Sequence, residues 1–206
     1  MDKRDRSLVS IPKVCGKHLE SILGSLNHVA NIYNPMRHFL GHIYQALYRA
    51  NSSKGWTSHK ATEVADFHTI ITFLDSAKIG ISMNNLTFRK PMHMYRSDAS
   101  EFGLRGYNLI SGIAWRYKLP VDCCLCTSLN SLKFLACVVN IWVDIFHNVI
   151  QQESCLLSQT DSSSASGWMR KSNFANKSEE AVQLSTARKL ANLLISSESC
   201  LYSHWF

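Results

Sequence analysis

The chain has 206 residues, 46% of them hydrophobic and 18% charged, enough apolar material for a buried core in one or two domains. At that size a fold needs no disulfide or metal staple, which sets aside the small stapled scaffolds. Lys and Arg total 22 against 15 Asp and Glu, and the net charge of +7 favours polyanionic partners, chiefly nucleic acid.

No dense basic run concentrates that charge. Lys3, Arg4 and Arg6 mix with Asp2 and Asp5 in what reads as a solvated tail, and residues 1–20 hold no apolar stretch of secretory type. His18, Leu19, Ile22, Leu23, Leu26, Val29 and Ile32 then recur at helical spacing. Asn34-Pro35 breaks the run, with the proline suited to the first turn of a second helix that carries Phe39, Ile43, Leu47 and Tyr48. Residues 51–60 read as a polar loop. Glu63 to Ala77 read as a third helix, with Val64, Phe67, Ile70, Ile71, Phe73 and Leu74 as its buried stripe and Gly80 as its stop. Ile81 to Pro91 is irregular and holds the expected boundary between a helical region, 1–91, and a second domain, 92–206.

From there the punctuation changes. His93–Ser97, Leu104–Leu109 and Ile113–Leu119 are short extended stretches separated by Gly103, Gly106 and Gly112, the pattern of an antiparallel meander. Ser131–Ile150 reads as a long helix, Ser154–Thr160 as an apolar strand, Ser178–Ser197 as a helix, and Leu201–Phe206 as the start of another strand. The order β-β-β-α-β-α-β predicts an α/β fold with a sheet flanked by helices. The most apolar stretch, Phe134–Ile150, is interrupted by Asn140, Asp144, His147 and Asn148, so it reads as a buried amphipathic helix, and no membrane partner is expected. Seven cysteines are scattered through the chain: Cys15, Cys123, Cys124, Cys126, Cys137, Cys155 and Cys200. The Cys-Cys-Leu-Cys run lacks the second ligand pair of a zinc site, so the thiols read as reduced and structural, in keeping with an intracellular compartment.

Two aspartates fall where chemistry gathers in α/β folds, at strand ends: Asp98 after the first strand and Asp161 after the later apolar one. If those strands are parallel neighbours, both carboxylates leave the same sheet edge, where a hard divalent cation would relieve their repulsion. An Asp at a strand end is also a common turn former or helix cap, and spacing alone favours that plainer reading.

The residues around both aspartates shift the balance. HMYRSDASEFGLRGYNLISGIAWRYKL, residues 93–119, resembles the opening of the ribonuclease-H-like domain of retroelement reverse transcriptases, whose first metal-binding Asp stands before a glycine-punctuated hairpin; Asp98 matches it. SQTDSSSASGWMRKSNF resembles the segment carrying a later catalytic Asp, which maps to Asp161. Leu23-Gly24-Ser25-Leu26-Asn27-His28 and Met36-Arg37-His38-Phe39-Leu40 resemble the helical thumb-to-connection region of the same polyproteins. The resemblance implies a ribonuclease-H-like mixed sheet preceded by a helical region. The activity it implies is Mg²⁺-dependent endonucleolytic hydrolysis of the RNA strand in an RNA–DNA hybrid, with Asp98 and Asp161 as catalytic and metal-binding residues. It also implies the rest of a reverse-transcriptase polyprotein as a partner.

Two departures bear on that activity. Ser128–Ala136 resembles the helix segment on which the family places a Glu, and Lys133 stands at that position. An ammonium cannot ligate Mg²⁺ and instead takes over the cation's charge role. The family's last acidic residue follows the final strand, and the sequence ends at Phe206 within that strand. Two acids in place of four imply weak or absent Mg²⁺ binding and impaired cleavage.

Lesser candidates complete the reading. Arg170, Lys171 and Arg105, with Arg116, could contact phosphates, although isolated basic residues are usually only solvated. Glu101 could stand in for a missing acid and His204 for a general base, the latter reading better as an edge-strand surface residue. Trp115, Trp142, Trp168 and Trp205 could stack on nucleotides, with Trp142 expected in the core. Three functions follow: a hybrid-cutting nuclease, a nucleic-acid-binding remnant without turnover, or a decayed element fragment with no function. The last two are favoured by Lys133 and the missing acid.

Overall fold

The computed structural model describes residues 13–81, 87, 89–120, 127–171, 174 and 179–206. The Cys-Cys-Leu-Cys run and most of the expected boundary segment lie outside the described residues.

The first part is helical, as its periodicity predicts. Strand β1 (Lys13–Cys15) leads into α1 (Gly16–Ile32), which buries Leu19, Leu23, Leu26 and Ala30 along one face. Pro35 begins a short 3₁₀ helix, Asn34–Phe39, which hands over to α2 (Leu40–Ser52). The polar segment after it is not a plain loop. Trp56–Ser58 forms β2, antiparallel to β1, and the Gly16 amide donates to the Gly55 carbonyl at 2.8 Å.

Helix α3 (Ala61–Ala77) is rotated from its expected stripe. Ile70 and Phe73 are buried, but Val64 and Ile71 face solvent, and the inward face is completed by Glu63 and Asp66. Each acid is buried because a cation reaches it. Arg49 stands 2.6 Å from Glu63, whose other oxygen accepts the Lys60 N–H. Asp66 accepts from the Arg188 guanidinium and lies 2.8 Å from His42 Nδ1. A buried carboxylate is tolerated only when paired in this way.

The second part is a five-stranded mixed sheet of order β5-β4-β3-β6-β7. Strands β3 (His93–Ser100), β4 (Gly103–Asn108) and β5 (Ala114–Lys118) form the antiparallel meander; β6 (Cys155–Thr160) runs parallel to β3, and β7 (Cys200–Trp205) parallel to β6. The crossover from β5 to β6 carries α4 (Leu129–Phe146); the one from β6 to β7 carries α5 (Ser163–Trp168) and α6 (Glu180–Ser196). This is the mixed sheet with flanking helices that the sequence predicts.

Alternation sets which residues meet the helices. His93, Tyr95, Ser97 and Ala99 of β3 are buried on one face, while Arg96 and Ser100 are exposed on the other. Helix α4 fills the buried side with Phe134, Val138 and Ile141. It is the one described helix long and apolar enough to cross a membrane, and it is the core helix of the sheet. Its polar interruptions face the strands. The Asn140 amide donates to the Arg96 and Tyr107 carbonyls at 3.0 and 3.4 Å and its oxygen accepts from Trp115 Nε1 at 2.8 Å. Asp144 accepts from Asn108, and Asn108 Oδ1 accepts the Ile110 N–H at 2.8 Å, closing the β4–β5 turn.

The glycines sort accordingly. Gly112 takes the left-handed turn with φ +75°. Gly106, by contrast, lies inside β4, where a Cβ would fall 2.8 Å from the Asn140 amide.

The two parts are packed together through α6. Its Ala191 lies in the cluster built by α1, α2 and α3, while Ala187, Leu190 and Leu194 belong to the cluster beneath the sheet.

Candidate functional site

Asp98 and Asp161 come from neighbouring parallel strands, with Arg96 of β3 paired to Gln159 of β6 two residues before each. Asp98 does not end its strand. Pairing continues through Ala99 and Ser100 to a tight turn at Glu101 and Phe102, and Asp98 sits opposite Arg105. Asp161 follows the last residue of β6, and Trp205 Nε1 donates to its carbonyl at 3.1 Å. Neither carboxylate caps a helix. That role falls to Ser162, whose hydroxyl accepts the Ala165 N–H at 3.1 Å and starts α5.

Lys133 lies on the second turn of α4 and is largely sequestered, its side chain 13% exposed. Its ammonium stands 2.6 Å from Asp161 Oδ2 and 3.8 Å from Asp98 Oδ1. The two carboxylates are therefore joined through an internal cation.

Asp98 has a second cationic neighbour. Arg105 donates to its Oδ2 at 2.8 Å, and the Ala99 N–H donates to its Oδ1 at 2.8 Å. Burial alone would raise the Asp98 carboxyl; the Arg105 hydrogen bond, the Ala99 amide and the charges of Arg105 and Lys133 outweigh it and hold it below its ordinary value. Arg105, expected on a phosphate, is thus also an ion-pair partner of the carboxylate, a pairing that counting back from the hairpin turn would have found.

As a donor set the site has two carboxylates, each already charge-paired, and no group of three or more metal-ligating side chains occurs among the described residues. Glu101 is exposed in the β3–β4 turn. Arg170 and Lys171 follow the far end of α5. Arg170 lines a separate cleft of about 250 Å³ with Arg37, Met169 and Tyr202, away from the carboxylates. His204 is exposed on β7, which is an edge strand. Among the tryptophans, Trp115 is tied to Asn140, and Trp168 packs edge-on against Phe134 and Phe174. Trp142, expected in the core, is 47% exposed and lies against Phe146, because Asn140 and Asp144 rather than the indole turn toward the sheet.

Buried polarity gathers at two further places. Glu179 anchors the start of α4, accepting from the Ser128 and Ser131 hydroxyls at 2.6 Å each. His38, on the 3₁₀ segment, is buried beside Met169; burial drives its imidazole down to about 4, against the upward pull of a hydrogen bond to the Met169 backbone.

No family model and no curated protein matches the chain. Among solved structures it is similar to the native protease–reverse transcriptase of prototype foamy virus, at 16% identity and a TM-score of 0.36, over 94% of this chain and 25% of that one. It is also similar to the foamy viral protease–reverse transcriptase in complex with RNA/DNA hybrid, at 13% identity and a TM-score of 0.33, over 95% and 26% of the two chains. A foamy viral dRH form in complex with double-stranded DNA gives 16% identity and a TM-score of 0.34, over 94% and 35%. The chain thus spans between a quarter and about a third of the length of these proteins.

Proposed function

We propose that the chain is a reverse-transcriptase fragment, with a thumb- and connection-like helical region in residues 1–91 and a ribonuclease-H-like domain in residues 92–206, that binds nucleic acid without cutting it. The carrying observation is the position of Lys133, within 4 Å of both Asp98 and Asp161. A divalent cation placed between those carboxylates would have to displace an ammonium and tolerate its charge. The site therefore does not fit Mg²⁺, and hydrolysis of an RNA–DNA hybrid is not expected from it.

The net charge of +7 supports a polyanionic partner, and the resemblance around Asp98 and Asp161 supports an RNA–DNA hybrid. Binding of that kind releases counterions, so its affinity falls steeply as salt rises. The test is fluorescence anisotropy of a labelled hybrid across a salt series. Salt-sensitive binding with the hybrid left intact supports the reading; salt-independent or undetectable binding by the folded chain rejects it. The rival reading, a working nuclease, draws on the adjacency of the two carboxylates and requires metal-dependent cleavage.

A further inference from the structure

The sheet face opposite α4 carries a row of flat side chains that the carboxylate site does not use. Arg96 is at its centre. Its Nε donates to Gln159 Oε1 at 2.9 Å, and its guanidinium carbon lies 5.6 Å from the centre of the Phe206 ring. Tyr107 is its cross-strand neighbour on β4. Both rings are open to solvent, Tyr107 at 40% and Phe206 at 61%. These groups line a trough of about 660 Å³ that runs up to Asp98 and Asp161.

Charge along that trough is unevenly matched. Arg105 and Arg116 are directly opposed on β4 and β5. Like charges directly across a sheet pair are unfavourable. Arg105 leans on Asp98, and Arg116 makes no ion pair among the described residues. An anion lying over the two strands would offset that repulsion.

We propose that this face is a stacking surface for single-stranded nucleic acid. Tyr107, Arg96 and Phe206 present planes to unpaired bases, and Arg105 and Arg116 meet the phosphates. Aromatic rings and a held guanidinium plane stack on any exposed base without reading its edge. A duplex keeps those base faces inside its own stack, so the surface discriminates by strandedness, not by sequence. The proposal rests on the nucleic-acid reading above for its class of partner and adds which form of nucleic acid this face takes.

The test is anisotropy with three labelled probes: a single-stranded RNA of about ten nucleotides, a DNA of the same sequence, and the RNA–DNA hybrid of that sequence. Replacing both rings, Tyr107→Ala with Phe206→Ala, is expected to weaken single-strand binding by about tenfold or more while changing hybrid binding little. Tyr107→Phe with Phe206→Tyr keeps the planes and should keep the affinity. Arg96→Lys keeps the charge, loses the plane and should weaken only the single-strand probes. Equal losses on all probes, or no loss on the single strands, overturn the stacking surface. So does hybrid binding without single-strand binding, which leaves the nucleic-acid reading standing. A change of oligomeric state in the ring variant without any effect on the probes assigns the face to a protein partner and also overturns it. No binding of any probe by the folded chain removes both readings together.

Discussion

Lys133 Nζ lies 2.6 Å from Asp161 and 3.8 Å from Asp98, so a cation supplied by helix α4 stands where two carboxylates of adjacent strands converge. Changing Lys133→Glu exchanges that cation for a third carboxylate, whose repulsion destabilises the protein until an external cation enters. A divalent ion that binds only the folded state raises stability by mass action, by about 2.7 kcal/mol at a hundred times its dissociation constant. Thermal melts in Mg²⁺ and Mn²⁺ should therefore shift upward for the variant and stay fixed for the unmodified chain. A metal-dependent shift of equal size in both would show that Lys133 does not occupy the cation's place.

The ion pair of Asp66 with Arg188 should matter more to stability than that of Lys133. Asp66 is fully buried, and α3 meets α6 through it. Arg188→Leu leaves that carboxylate short of its main partner, at a cost of about 3–5 kcal/mol. Lys133→Leu exposes two carboxylates that are already partly hydrated, at 41% and 47%, and should cost under about 1 kcal/mol. Denaturant midpoints with unchanged slope report both values, and the reverse order would refute this ranking.

Acid should weaken the fold through His38. Unfolded histidine titrates near 6.5, whereas enclosed His38 stays neutral down to about 4, so the unfolded chain binds more protons between those values. Stability therefore rises with pH through that window, and the full effect, reached below it, is about 3 kcal/mol. His38→Gln retains a donor for the Met169 carbonyl without titrating. Its melting temperature should fall less than that of the unmodified chain between pH 7 and pH 5; an identical fall would exclude His38 as the source. Asp98 adds a smaller trend of the same sign at lower pH, since its depressed carboxyl contributes stability that is lost as pH drops through its folded value.

Gly106 and Asn140 should behave as a coupled pair. A methyl at Gly106 would meet the Asn140 amide at 2.8 Å, so Gly106→Ala should cost about 1–3 kcal/mol. Asn140→Ala is also unfavourable, because it leaves Trp115 Nε1 and the Arg96 carbonyl without their partner. The double variant should lose less than the sum by at least about 0.5 kcal/mol, since the second change removes the clash made by the first. Simple additivity would contradict the packing described.

Much of this was legible in the sequence. Alternation and glycine spacing marked the meander, an apolar run marked β6, and the segment resemblance placed Lys133 with Asp98 and Asp161. What escaped depends on partners distant in sequence. Asp66 is buried against Arg188, a partner 122 residues away in sequence, so the apolar stripe that would put Val64 and Ile71 on the inner face of α3 is displaced. Apolar bulk alone puts Trp142 in the core, whereas Asn140 and Asp144 take the inward positions because they hydrogen-bond the sheet. The open trough beyond Asp98 depends on strand register and on Phe206 reaching Arg96, which periodicity does not encode.

The most direct measurement is cleavage of an end-labelled RNA–DNA hybrid in Mg²⁺ and in Mn²⁺ by the folded chain, its Lys133→Glu variant, and that variant carrying Asp98→Asn. An intact hybrid is expected with the unmodified chain, some cutting with Lys133→Glu, and none once Asp98 is also replaced. Metal-dependent cutting by the unmodified chain, abolished by Asp98→Asn, would contradict it and establish a nuclease that works with two acids and a lysine between them.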